Sequence, residues 1–250
     1  MRLELMTSAE VADYLETSTG IIMPIGSQEQ HGPMGLIGTD AQTAEAVGRG
    51  AGEKASILVG PTITVGMAQH HLGFPGSMSL RPTTLIAVIR DYVTSLARNG
   101  FTHFHFVNGH GGNITTVETA FQEIYAGFSF DAARPSGPIR CRLYNWFNQK
   151  PVVALQKELY GAEEGFHATP SEVAMTQHLF PEAIKTMDES PAPGFDRMFA
   201  DAADYREMFP DGRMRSASWL ARPEDGKVFL DMAIDAVIED YNRFTATMDG

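Results

Sequence analysis

The chain has 250 residues, 43% hydrophobic and 20% charged, with a net charge of −12 and a single cysteine, Cys141. That length buries one sizeable core in a single α/β domain over residues 1–250, and the acidic balance argues against nucleic-acid or anionic-membrane partners. No segment approaches the length of a spanning helix, Met1–Leu5 lacks the apolar core of a signal peptide, and one cysteine makes no disulfide framework, so the chain reads as cytoplasmic.

Thr7 and Glu10 form a capping-box pattern that opens a short helix to about Leu15. Gly20–Ile25 is a continuous apolar run, as expected of a strand buried on both faces. A polar, glycine-rich loop follows, and a helix begins near Thr39-Asp40 with Ala41, Ala44 and Val47 on one side. Ile57–Val59 reads as a second strand and Thr62–Val65 as a third. Thr83–Asn99 is the clearest helix: Leu85, Val88, Ile89, Tyr92, Val93 and Leu96 recur at helical spacing, and Gly100 stops it. Phe101–Val107 reads as a strand, Asn113–Tyr125 as a helix and Ile139–Tyr144 as a strand. Thr169-Pro170-Ser171-Glu172 opens a further helix with Pro at its first position. Ser190 to Arg222, rich in Pro, Gly, Asp and Arg, reads as an extended surface excursion, and a last helix spans Lys227–Thr247. Strands alternating with helices imply an α/β fold, a mainly parallel sheet flanked by helices on both faces. In such sheets ligands bind beyond the carboxyl ends of the strands.

Metal-ligating side chains cluster in the loops that follow these strands. Gly26-Ser-Gln-Glu29-Gln-His31-Gly, running on to Thr39-Asp40, and Asn108-Gly-His110-Gly-Gly-Asn113 together hold two carboxylates and two histidines. That donor mixture suits Zn²⁺, Mn²⁺ or Fe²⁺. Glu29 and His31 are one residue apart and in an extended loop point the same way. Asp40 can bridge two ions through its two oxygens, or it can be only the N-cap of its helix; Glu172 can be only the capping partner of Thr169. His103 and His105 share one face of a strand and read as structural, as does His178. His70-His71 reads equally as pocket-shaping or as an ordinary surface pair, and Met34, Met67 and Trp146 are candidates for the pocket wall or for plain core packing.

Those two motifs, with Phe74-Pro-Gly and His167-Ala-x-x-x-Glu172, occur in the order and spacing of the creatininase (creatinine amidohydrolase) family, which this chain resembles over roughly residues 20–180. The resemblance implies a creatininase-like fold, two divalent metal ions (Zn²⁺ first, Mn²⁺ or Fe²⁺ as alternatives), and a homo-oligomer such as a hexamer. It implies hydrolysis of a C–N bond in a small-molecule amide, cyclic amide, formamide or peptide substrate, with a bond other than an ordinary peptide bond the expected target. By the same resemblance Glu29 and His110 are ligands of one metal, His31 of the other, and Asp40 bridges them. Glu172 closes the second site, and His167 shuttles a proton to the leaving nitrogen, so that His167 and Glu172 form the catalytic pair. Gly111 and Gly112 stand where creatininase carries an aromatic residue and a glutamate, which points away from creatinine as substrate. Met34, His70 and Thr169-Pro170 also depart from the family pattern, around the pocket rather than in the ligand set. Two other functions fit the same residues: hydrolysis of a cyclic sugar-derived ketone or lactone, and metal or metabolite binding without turnover. A proton shuttle at His167 argues against binding alone.

Overall fold

The computed structural model describes residues 1–130, 138–195 and 197–246. Three six-residue strands, β1 (Gly20–Ile25), β2 (His103–Asn108) and β3 (Arg140–Asn145), pair in parallel in the order β1-β2-β3. The register sets Ile25 beside Asn108 and Asn108 beside Asn145, so all three carboxyl ends reach the same edge. Every residue of β1 and β2 is buried, as an apolar strand covered on both faces requires.

Alternation along the strands splits the core. Ile21, Met23, Ile25, Phe104 and Phe106 face one layer, where they pack against helices α3 (Pro82–Ala97) and α4 (Ile114–Phe130). Ile22 and Val107 face the other, which is filled from α2 (Thr39–Ala55) and the long α8 (Pro223–Ala246). The amino-terminal helix α1 (Ser8–Leu15) begins with the expected capping box: the Thr7 hydroxyl accepts from the Glu10 amide, and the Glu10 carboxylate accepts from the Thr7 amide at 2.7 Å. Helices α5 (Lys150–Leu159), α6 (Pro170–Leu179) and α7 (Ala202–Met208) complete the set. No described helix is long and apolar enough to cross a membrane.

Two expectations change. The segments at Ile57–Val59 and Thr62–Val65 do not form strands; only Val59 and Ile63 bridge β1, opposite Ile22 and Ile25. Each touches the sheet for a single residue, too short for a ladder. Nor is Ser190–Arg222 a surface excursion, because Tyr205, Phe209, Arg213, Ser216 and Ser218 within it are buried. Its aromatic rings pack on one another, Phe199 edge-to-face on Tyr205 at 5.0 Å and Tyr205 tilted on Phe209 at 4.9 Å between centroids. They form a small core of their own against Phe74.

His105 is structural, as its strand position predicts. Its Nε2 lies 2.9 Å from Asp240 Oδ2, and Arg142 grips the same carboxylate through two nitrogens at 2.5 and 2.6 Å. Burial pushes the Asp240 pKa up, but the bonds from His105 and Arg142 outweigh it and hold the carboxyl below its usual range. Asp240→Ala is therefore expected to destabilise the fold by about 1–3 kcal/mol, because it leaves the neutral His105 ring buried without its hydrogen-bond partner. A depressed folded-state pKa contributes stability that is present above the unfolded value, about 3.9, and is lost as pH falls below it. Urea titrations of wild type and Asp240→Asn between neutral pH and pH about 3 should converge as pH falls; curves that remain parallel would refute the assignment.

Candidate metal centre

The parallel register places three loops at one edge. The β1 loop carries Glu29 and His31 and leads into α2, whose second residue is Asp40. Gly38, not Asp40, is the N-cap residue, so the Asp40 carboxylate is not consumed as a cap. The β2 loop carries His110. Its turn is locked by side-chain amides: Asn108 accepts from the His110 amide and donates to the His110 carbonyl, while Asn113 donates to the Gly26 carbonyl and accepts from the Met67 amide. Gly109 is required here, since a Cβ would sit 2.2 Å from the Asp40 carbonyl oxygen. Glu172 comes from the first turn of α6. It makes the predicted capping box with Thr169 and also lies 3.9 Å from His31, so capping does not remove its carboxylate from the cluster.

The two Asp40 oxygens part company: Oδ1 is 3.1 Å from His31 Nε2 and Oδ2 is 3.1 Å from His110 Nδ1. Glu29 Oε2 lies 3.2 Å from the same His110 nitrogen, and Glu29 Oε1 lies 3.1 Å from His71 Nε2 and 3.6 Å from His167 Nδ1. Three ligand triads result: Glu29, Asp40 and His110; His31, Asp40 and Glu172; and Glu29, His31 and His167. Within each, donor atoms lie within 4.8 Å of one another, a spacing one ion can span. Both Glu29 oxygens and Asp40 Oδ2 are buried with no hydrogen-bond partner in the protein. Buried carboxylate oxygens left so cost several kcal/mol each, so the donor set fits divalent cations.

The histidines are oriented by the backbone. His31 Nδ1 donates to the Glu29 carbonyl at 3.0 Å, His110 Nε2 to that of Met67 at 3.0 Å, and His167 Nε2 to that of Gln30 at 2.7 Å. In each case the second ring nitrogen is left facing the carboxylates, as a metal ligand's outer support demands. Burial alone would lower the His31 pKa, but Asp40, Glu172 and Glu29 overcome it and raise the ring to about 10. Burial likewise opposes the charged form of His110, and Glu29 and Asp40 again prevail and raise it. His167 goes the other way: burial, then the nearby His71 and His31, keep it neutral. Burial pushes Glu172 up to about 7.

Sequence reasoning missed the part played by Gln30. Its Oε1 accepts from the Gly32 amide and its Nε2 donates to the Gly212 carbonyl, which fixes the amide orientation. The remaining N–H points at His71 Nδ1, 2.9 Å away, so His71 carries its proton on Nε2, facing Glu29. Gly212, at φ +87°, admits this contact because a Cβ would lie 1.8 Å from Gln30 Oε1. His71 is thus buried at the centre, with the Tyr205 ring 4.7 Å away, while His70 packs on Phe199 and Tyr205 and is held neutral, near 3, chiefly by burial. Neither is a surface pair. Trp146 and Met34 pack in the core, and Met67 contributes its carbonyl.

Because the surrounding carboxylates raise His31 and His110 above the ordinary imidazole range, metal loading near neutral pH is expected to release protons, with affinity falling as pH falls. Calorimetry in buffers of different ionisation enthalpy measures this; loading without proton release would contradict the geometry.

The creatininase family profile, described as creatinine amidohydrolase, matches residues 4–241. Among similar proteins is the mycofactocin precursor peptide peptidase of Mycolicibacterium smegmatis, 28% identical over 92% of this chain and 81% of that protein. Another is the creatinine amidohydrolase of Pseudomonas putida, 27% identical over 88% of this chain and 89% of that protein. Two solved structures share the fold: a manganese creatininase (TM-score 0.81, 22% identity, 97% of this chain and 98% of that one) and a mutant creatininase of Zn–Zn type (TM-score 0.80, 22% identity, the same coverage). With a ligand-rich sheet edge and a profile match over nearly its whole length, the chain belongs to the creatininase family of amidohydrolases, enzymes that act on carbon–nitrogen bonds.

Proposed function

We propose that the protein is a cytoplasmic, dinuclear metal-dependent amidohydrolase that cleaves a C–N bond of a small amide, cyclic amide or formamide. The observation that carries this reading is Asp40, whose oxygens divide between His31 and His110. Glu29, Asp40 and His110 would hold one ion; His31, Asp40 and Glu172 would hold the second. Zinc is the first choice for this nitrogen and oxygen donor set, with manganese or iron as alternatives. Divalent ions in such a pair lower the pKa of a water toward neutrality and polarise a carbonyl oxygen.

The chain's own residues supply the rest. Asp40, His110, His167 and Glu172 line one cavity of ≈ 410 Å³, a volume suited to a small molecule. His167 is neutral, its Nε2–H is tied to the Gln30 carbonyl, and its Nδ1 is left with a lone pair beside Glu29. It takes the proton released by the attacking water at Nδ1 and delivers it to the departing nitrogen. Gln30 holds both His71 and the loop at Gly212, which keeps this corner of the cavity fixed. Binding alone would not need a neutral, backbone-anchored histidine at that point.

Asp40→Ala should lose metal at both positions, seen as a drop in metal per chain with circular dichroism unchanged; full occupancy would sink the bridging role. His167→Ala should keep its metals and lose about 10²–10⁴-fold, falling on kcat more than KM. Activated amides with good leaving groups should suffer less. Metal loss in that variant would make His167 a ligand, as its triad with Glu29 and His31 allows.

We also propose a homo-oligomer, a hexamer by family. Exposed Leu72, Met78 and Met198 leave apolar surface for subunit contacts. Light scattering that returned a monomer at micromolar concentration would overturn it.

A further inference from the structure

The cavity beside the proposed metal positions has a second polar feature that the metal chemistry does not use. Glu164, in the short turn before His167, lines it. The Ser171 hydroxyl donates to Glu164 Oε1. Ser171 in turn accepts from Gln156 Nε2 at 3.2 Å, and the second Gln156 N–H goes to the Phe147 carbonyl at 3.2 Å. Donors therefore run in one direction, from Gln156 through Ser171 into Glu164, and the carboxyl at the end of the relay is an acceptor. Its other oxygen, Oε2, is buried and has no hydrogen-bond partner in the protein.

The rest of the wall agrees. Gln156 has both amide hydrogens engaged and offers only its carbonyl oxygen. Phe147, Val153 and Phe166 supply apolar surface, Val153 and Phe166 being exposed at the rim. Gly111 faces open space, so nothing narrows the cavity there. No lysine or arginine lines the cavity among the described residues. A substrate carboxylate or phosphate would meet carboxylates, whereas an N–H donor would meet acceptors.

We propose that Glu164, fixed by Ser171 and Gln156, is the specificity-determining residue of this cavity, and that its carboxylate accepts a hydrogen bond from a protonated nitrogen, an ammonium or guanidinium, at the end of the substrate away from the scissile bond. This rests on the amidohydrolase reading for the word substrate, but the subsite itself is defined without turnover. The apolar walls carry the methylene stem between the two polar ends. Glu164 touches only the remote nitrogen and takes no part in bond cleavage, so it acts on binding rather than on the chemical step. Burial, the strongest influence on it, raises the free carboxyl to about 6, and a cation placed beside it would offset that.

The test uses the full-length, metal-replete protein. NMR titration with butylammonium, butylguanidinium and neutral butanol reads the subsite directly. Wild type should bind a cation about 10–100-fold more tightly than the alcohol, the range expected for a hydrogen bond to a charged group. In Glu164→Gln that preference should fall to near one. Ser171→Ala, which keeps the carboxylate but frees it, should give an intermediate preference. Equal binding of alcohol and cations by wild type overturns the proposal, and this arm needs no variant to fold. A preference that survives in folded Glu164→Gln also overturns it. A parallel arm compares kcat/KM for N-acetyl-diaminobutane and N-pentylacetamide, whose ratio should track the binding preference. If neither amide is turned over while the cation preference stands, the hydrolase reading fails and the subsite does not.

Discussion

The rest of the site follows from one electrostatic constraint. Glu29 is fully buried, and neither of its oxygens has a hydrogen-bond partner in the protein. Burial alone would neutralise such a group; instead His110 and His71 keep it ionised. A carboxylate held ionised in a dry site needs nearby positive charge, and every neighbour of Glu29 is arranged to provide or receive it. The surrounding carboxylates favour that charge as protonated His31 and His110. In the proposed enzyme the ions replace those protons, which is why metal binding and proton release are a single event here.

The cost of that arrangement is met by rigid polar support rather than by apolar packing. Asn113 and Gln30 each bond to backbone groups of different loops, and Asn108 closes the turn at His110 through its amide and carbonyl. These amides have no charge to lose and no proton to exchange, so they set histidine orientation independently of pH. The same logic sets His71 apart from the proposed ligands: with Gln30 donating to its Nδ1, an N–H rather than a lone pair is turned toward Glu29.

How much of this was legible in the sequence depends on the length scale of each signal. Gly20–Ile25 and the capping boxes at Thr7 and Thr169 are written in consecutive residues, and the structure has them where expected. Helix α5 was not foreseen, because only Val152 along it is fully buried and its apolar stripe is thin. The segments at 57–65 have strand-like composition, yet each meets β1 at one residue. In Ser190–Arg222 the polar residues outnumber the aromatics and hide Phe199, Tyr205 and Phe209, which converge only after folding. For the site, the residue types of Glu29, His31, Asp40, His110, His167 and Glu172 pointed to their clustering. Glu164 and Gln30 carried no such signal, since a glutamate before a glycine and a glutamine between two candidate ligands look like any polar loop residue.

Glu164 and Glu172 show how one short stretch divides two tasks between like groups. Both are acidic, both bond to residues at the start of α6, and both are pushed up by burial. Glu172 faces His31, which opposes that push and leaves it matched to a cation in the proposed metal position. Glu164 has only hydroxyl and amide donors beside it, and these satisfy one oxygen without adding charge. The difference is the partner rather than the residue type. A carboxylate with a histidine across from it is suited to an ion that stays, while one that lines a cavity without a basic partner is suited to a cation that comes and goes with the substrate.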